Sequence, residues 1–268
     1  GHRAVHIIDF DIMYGLQWPP FMQAIAALDP PPTLRITATA DHDLPLLRRT
    51  GDRLQRFAQT LGLTFRFNPL LLPAPAPAAA AAAAFGALLT GGEEEALAVN
   101  CVFYLHKLLL ESDDVVRMFL QSIKGLKPKV VTVAEREADH NHPHFLRRFV
   151  EALDHFAAIF DSLEATVPPN NPDRLAVERV WLGREIMEMV GTRTEQQRRR
   201  HQRYRAWEVA LTGLGFRNVP LSPFALSQAK LLLRLHYPSP GYQLHFQNDS
   251  FFLLGWQNQA LFSVSSWR

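Results

Sequence analysis

The sequence predicts an α/β fold in which a mostly parallel, doubly wound sheet carries helices on both faces. Three observations lead there. Short apolar runs ending in acidic or amide residues alternate with amphipathic stretches of helical period; their spacing suits right-handed crossovers; and the final stretch turns to closely spaced strand-like runs. Residues 4–8 are an apolar run closed by Asp9 and read as the first strand. Residues 18–28 follow as a helix, with Phe21, Ile25 and Leu28 at helical spacing, opened by Pro19 and Pro20 and ended by Asp29-Pro30. A second strand at 34–38 precedes a helix at 44–61, where Leu47, Leu54, Phe57 and Leu61 form one stripe. Strands at 65–67 and 96–99 come next, then helices at 102–110 and 114–123. The β-branched run 130–134, between Pro128 and Glu135, is the fifth strand. Residues 145–160 form a helix with Phe145, Phe149, Leu153, Phe156 and Phe160 on one face.

Beyond that point the pattern changes. Helices are expected at 175–190, 195–211 and 221–235, and strands at 242–246, 251–254 and 261–264. Asn248-Asp249 suits a turn between the first two of these strands, making them a hairpin. A parallel core finished by an antiparallel hairpin is the Rossmann-like, methyltransferase-like arrangement. Residues 73–95 stand apart: alternating Pro and Ala, seven alanines from Ala78 to Ala84, then Gly91-Gly92 and Glu93-Glu94-Glu95. They read as a low-complexity surface insertion without chemistry of its own.

The 268 residues, 47% hydrophobic and 20% charged, are enough for one large domain or two small ones and exclude wholesale disorder. A single cysteine, Cys101, excludes an internal disulfide framework and any cysteine-rich zinc module. The net charge of +2 is too mild to indicate nucleic-acid binding by itself. No apolar run reaches the roughly 18 residues a bilayer needs, so no membrane partner is expected. The chain opens Gly1-His2-Arg3 and enters an apolar strand directly, which reads as the inside of something longer.

In open α/β sheets ligands bind beyond the carboxyl ends of the strands. Those ends carry Asp9, Asp11, Asp41, Asp43, Asn68, Asn100, Glu135 and Glu137. Asp9, Asp11, Asp41, Asn100 and Glu135 are the candidate pocket rim. A nucleotide-type cofactor also needs a glycine-rich turn after the first strand. The turn here, from Asp9 to Gly15, has one glycine, and bulky Phe10, Met13 and Tyr14 take the space, so no cofactor is assigned. The carboxylates read mainly as helix caps and loop ties. His140, His142 and His144 beside Asp139, and His42 between Asp41 and Asp43, invite a metal; their spacing does not converge three imidazoles, and a solvated loop is the reading taken. Neither a Gly-x-Ser-x-Gly elbow nor a P-loop occurs, and Cys101 reads as a small buried residue, so no catalytic residue is assigned.

Taken in order, the local motifs resemble the plant GRAS family of transcriptional regulators. Val5-His6-Ile7-Ile8-Asp9 with Gly15-Leu16-Gln17-Trp18-Pro19 is similar to its signature segment, and Val99-Asn100-Cys101 with Leu105-His106-Lys107-Leu108-Leu109 to its second leucine-rich region. Phe160-Asp161-Ser162-Leu163-Glu164-Ala165-Thr166, then Arg184-Glu185-Ile186, resemble the next block. Trp207, Gly215-Phe216, Leu254-Gly255-Trp256 and Ser265-Ser266-Trp267 resemble the terminal block, with Ser266 in place of the usual alanine. Arg198-Arg199-Arg200-His201 lacks the glutamates that the family mixes in. The segment from Ala225 to Tyr237 and the chain's ending look most like the Lateral suppressor or Monoculm branch. The resemblance implies a nuclear, non-enzymatic regulator of axillary shoot formation, working through other GRAS proteins and transcription factors on a methyltransferase-like scaffold. It also implies that residues 1–268 are the C-terminal part of a GRAS domain, without its N-terminal helical cap. Trp18, Trp207, Trp256 and Trp267 are expected as structural residues of these motifs. Arg198, Arg199, Arg200 and Arg203 are the candidate interaction residues, facing acidic partners, with any DNA association weak or indirect. The alternative is an S-adenosylmethionine-dependent methyltransferase with a degraded cofactor site.

Overall fold

The computed structural model describes residues 2–72, 95–109, 113–142, 144–191, 201–237, 239–247 and 250–268. The expected insertion therefore lies outside the described residues apart from Glu95, as do the Asn248-Asp249 turn and Arg198, Arg199 and Arg200. The chain divides into two units, the first containing residues 1–104 and 114–132, the second residues 105–113 and 133–267.

In the first unit β1 (Ala4–Phe10) lies between β2 (Thr33–Ala40) and β4 (Glu95–Val102), and β3 (Phe65–Leu71) flanks β2, all parallel. Ile7 is opposite Ile36 on one side and Ala98 on the other. The last five residues of β1 are all buried, as a parallel strand covered on both faces requires. Helices α1 (Trp18–Ala26) and α2 (Leu44–Thr60) supply Trp18, Met22, Ile25, Leu47, Leu54 and Ala58 to a cluster with Ile7, Leu34 and Ile36. Alternate β1 residues point the other way: Phe10 meets Tyr104 and, edge-on at 4.9 Å, Phe119 of the helix Asp113–Gly125 (α4). Proline in the first turn starts both α1 and α2, and the Asp43 carboxylate caps α2 by accepting from the Leu46 N–H at 2.8 Å.

In the second unit β7 (Tyr242–Gln247), β8 (Phe251–Trp256) and β9 (Gln259–Trp267) are antiparallel neighbours, and β6 (Asn218–Val219), which the sequence reading lacks, pairs with β9. The remaining helices are α3 (Leu105–Leu108), α5 (Phe145–Thr166), α6 (Pro172–Ala176), α7 (Gly183–Ile186), α8 (Tyr204–Gly213) and α9 (Pro223–His236). The strand β5 (Val130–Arg136) carries the chain from the first unit into the second. Parallel strands wrapped by helices and a C-terminal antiparallel set are the predicted class.

Several expectations are corrected. The stretch read as a helix from 102 begins as strand; Phe103 then takes a left-handed φ of 53°, and among its described residues only Leu105–Leu108 is helical. The helix expected at 175–190 is a chain of α6 and α7 with π-helical turns at Val177–Leu182 and Met187–Gly191. Of the helix expected at 195–211, residues 195–200 lie outside the described residues, 201–203 are non-helical and α8 starts at Tyr204, so Arg203 precedes the helix in extended backbone. On α5 the expected stripe is split, with Phe156 buried and Phe160 partly buried but its N-terminal members outside. Phe145, Phe149 and Leu153 are exposed, while Arg148, Ala152, His155 and Phe156 face inward.

Trp256 is buried at 4%, its indole N–H donating to Asp161 and its ring edge-on to Tyr242 at 4.8 Å. Gly241 is needed beside it: a Cβ there would sit 2.4 Å from the indole. Trp256→Ala is therefore expected to cost about 3–5 kcal/mol, by the usual loss on truncating a buried aromatic. Urea unfolding measures it, and a variant as stable as the parent would refute the packing role.

Candidate functional site

The first unit holds four of the five rim residues, and two of them, Asp9 and Asn100, are tied to each other inside the protein. Asp9 is 1% exposed at the end of β1. Its Oδ1 accepts from Asn100 Nδ2 at 2.8 Å, and its Oδ2 from the Trp18 indole at 2.7 Å and Gln17 Nε2 at 2.9 Å. Asn100 in turn accepts from the Thr132 hydroxyl at 2.5 Å. Burial raises the Asp9 carboxyl to about 6, against the opposing pull of its three hydrogen bonds. The Asp11 N–H donates to the Thr39 hydroxyl at 3.0 Å, and Asp11 and Asp41 are half-buried. Asp43 is a helix cap, and Asn68 donates to the Thr37 hydroxyl.

The turn after β1 is tight and largely apolar. Asp11, Met13 and Gly15 all have positive φ, at 61°, 52° and 59°. Phe10 and Ile12 turn into the core, whereas Met13 and Tyr14 stand exposed. The bulk expected from Met13 and Tyr14 thus lies outside, and Ile12 is the filler that the sequence reading omitted. A Cβ on Gly15 would come within 3.1 Å of the Thr50 methyl on α2, so this glycine serves helix packing. The turn presents no glycine cradle to a phosphate, ribose or methionine-type ligand, and the residues present do not fit S-adenosylmethionine in that manner.

The fifth rim residue, Glu135, belongs to the second unit and is also 1% exposed. Its Oε1 accepts from the Leu105 and His106 N–H groups at 2.7 and 3.3 Å, and its Oε2 from His106 Nδ1 at 2.9 Å. Glu137, raised by burial, accepts from the Tyr204 N–H at 2.8 Å and fixes the start of α8.

Around Glu135 lies a constellation that spacing did not reveal. His106 stacks on His201 at 4.7 Å, His140 and His201 bring their Nδ1 atoms within 3.1 Å, and His155 stands edge-on to His140. Arg136 donates to Glu185 at 2.8 Å and lies 3.5 Å from His155 Nε2. His140 is thus buried, not part of a solvated loop, while His42 is exposed. Burial, reinforced by the Arg136 charge, lowers His140 to about 4 and His155 to about 3; His201 is lowered by burial and the neighbouring His106. The available signal was His155 itself, which shares its helix face with Ala152 and Ile159. Among the described residues no three such side chains are arranged as metal ligands.

Arg203 is already paired: its Nη2 donates to both Glu151 oxygens at 2.7 Å. Arg205 pairs with Glu208 at 2.6 Å. Trp18, Trp207, Trp256 and Trp267 are all buried.

A buried signature carboxylate tied to its own tryptophan and asparagine, in this strand order, meets its match in sequence: the GRAS domain family model covers residues 1–268. The chain belongs to the GRAS domain family. It is 51% identical over 99% of its length to Scarecrow-like protein 18 of Arabidopsis thaliana, and 47% identical over its full length to Protein MONOCULM 1 of Oryza sativa. These matches take up 60% and 64% of those relatives, so the chain spans less than two thirds of their length. In structure it is similar over its whole length to rice SCL7, with a TM-score of 0.88 at 34% identity, covering 74% of that chain.

Two outcomes follow for this GRAS chain. Asp9→Ala strands a buried indole N–H and an amide and is expected to cost roughly 2–4 kcal/mol; unchanged stability in urea would return Asp9 to the role of an open-site ligand. The second concerns acid. His6, lowered by burial to about 4, joins His140, His155 and His201 as folded-state neutral imidazoles. Each contributes stability above about pH 6.5 that is lost as pH falls through its folded value, because the unfolded chain takes up the proton first. Asp9 and Glu137, both raised, act oppositely and offset part of this. Stability should therefore fall from about pH 6.5 towards pH 4, and His155→Gln should flatten the slope by up to about 1.4 kcal/mol per pH unit. Urea midpoints across that range check it, and an unchanged slope in the variant would refute it.

Proposed function

We propose that this GRAS chain is part of a nuclear, non-enzymatic regulator of transcription that works by binding other proteins, GRAS proteins and transcription factors among them. The observation that carries the reading is where polar and apolar groups are spent. The strand-end carboxylates Asp9 and Glu135 are consumed inside the protein, and the turn after β1 is filled by Phe10 and Ile12. Meanwhile the second unit exposes large apolar side chains: Phe145, Phe149 and Leu153 on α5, and Val180, Trp181 and Met187 along the π-helical segment. Trp181 is 59% exposed, an unusual place for an indole unless a partner covers it. The similarity to MONOCULM 1 supports a developmental role in axillary shoot formation. With Arg203 and Arg205 paired to glutamates, DNA association is secondary to protein contacts.

The methyltransferase alternative rests on Asp9, Asp41 and Asp43, and the internal use of Asp9 and Asp43 counts against it. Isothermal titration with S-adenosylmethionine should give no micromolar binding. The same protein, fused to a heterologous DNA-binding domain in plant cells, should change reporter output through recruited partners, and a fluorescent fusion of the intact parent should enter the nucleus. Tight cofactor binding with methyl transfer, and a silent reporter, would reverse the assignment.

A further inference from the structure

A second surface of the second unit carries a more specific message. The helix α9 and the strand β7 run side by side: Lys230 lies over the Phe246 ring at 4.9 Å, and seven residues on, Tyr237 meets Tyr242 edge-on at 5.7 Å. Between them opens a cleft of about 520 Å³, lined by Lys230, Leu233, Arg234, Tyr237, Tyr242 and Leu244. The helix is well made, with Pro223 in its first turn and the Ser222 hydroxyl accepting from Ala225 N–H at 3.1 Å, yet none of its residues is buried. Among the described residues β7 pairs in the sheet with β8 alone; at its other edge the Tyr242 N–H donates to the Ser239 carbonyl at 3.3 Å, and the strand beyond it has no neighbouring strand.

Lys230 and Arg234 are exposed, four apart on one helical face, and neither has a carboxylate partner among the described residues. Like charges at that spacing repel, and an anion between them would relieve the repulsion. Four helical residues advance about 6 Å. In an added extended strand, alternate side chains share a face and lie about 6.8 Å apart. The two repeats match. A strand laid along β7 would turn every second side chain towards α9, where the two cations stand.

We propose that the α9–β7 cleft is a docking site for an extended acidic peptide segment of a partner protein. That segment adds to the free edge of β7 and sets carboxylates at alternate positions against Lys230 and Arg234. Its intervening backbone supplies affinity through strand pairing, and the carboxylates supply register and selectivity. Leu233, Leu244 and the two tyrosines receive the aliphatic parts of the acidic side chains. The proposal rests on the protein-binding reading given above and names a surface and a partner chemistry for it.

The test uses a fluorescein-labelled peptide alternating Asp with Leu, titrated with the protein and followed by anisotropy. Saturable binding that weakens in high salt is expected, with a loss of about tenfold or more in Lys230→Glu/Arg234→Glu. A peptide with Asn in place of Asp, and one N-methylated along its pairing edge, should each bind at least about tenfold more weakly. Thermal melts confirm folding, and Lys230→Gln/Arg234→Gln is read instead if the reversal unfolds the protein. The proposal is overturned if the charge variants bind within twofold of the parent or the Asn peptide binds equally well. It is also overturned if inorganic phosphate or a single-stranded oligonucleotide displaces the peptide as effectively as unlabelled peptide does. Transcriptional recruitment that survives the charge reversal would likewise reject the cleft while leaving the general reading intact, whereas peptide binding beside a silent reporter would reject only the general reading.

Discussion

A single carboxylate at the end of β1 accepts three hydrogen bonds from two distant places in the sequence: Gln17 and Trp18 at the start of α1, and Asn100 on β4. Burying that group costs free energy, which is why its pKa stands near 6; it is tolerable because neither oxygen lacks a donor. The knot does for the parallel strands what a disulfide does elsewhere, tying the first helix and a strand over 90 positions away to one atom pair. It also removes the strand end from use by any ligand. In a fold whose strand ends ordinarily hold the chemistry, the same acidic position has become architecture.

The second unit repeats that logic with imidazoles. Glu135 anchors the two leading N–H groups of α3 and the ring of His106, and three further histidines pack beyond it. Neutral imidazole is a compromise side chain: flat enough to stack on Phe156, as His140 does at 6.3 Å, yet polar enough to pair with another ring. Burial keeps the rings of His140, His155 and His201 unprotonated, the Arg136 guanidinium adds to that, and Arg136 is itself paired with Glu185.

Much of the fold was legible because parallel strands announce themselves as apolar runs, and β1, β2 and β5 follow those runs to within a few residues. The burial of Trp256 and Trp267 was legible too, because large aromatics on or beside the last strands have a sheet to pack against. What stayed hidden was hidden for identifiable reasons. The Phe145–Phe149–Leu153 stripe has perfect helical period, but period alone does not say which of two apolar faces meets the sheet. The inner face is marked instead by Arg148 and His155, residues that hydropathy scores as outward. The rim carboxylates were correctly placed at strand ends, yet their partners Trp18, Leu105 and Tyr204 lie far off in sequence. Whether a carboxylate faces ligand or protein is a tertiary fact.

The π-helical turns at Val177–Leu182 and Met187–Gly191 have an evolutionary corollary. A π turn is the form a helix takes when a residue has been inserted and its flanks stay in place. Each extra residue shifts all that follows by about 100° around the axis. Along this segment Glu185 points inward to Arg136 while Trp181 and Met187 look outward. A residue gained or lost at either turn would therefore re-aim the exposed side chains that follow it while leaving the helical hydrogen bonds before it in place.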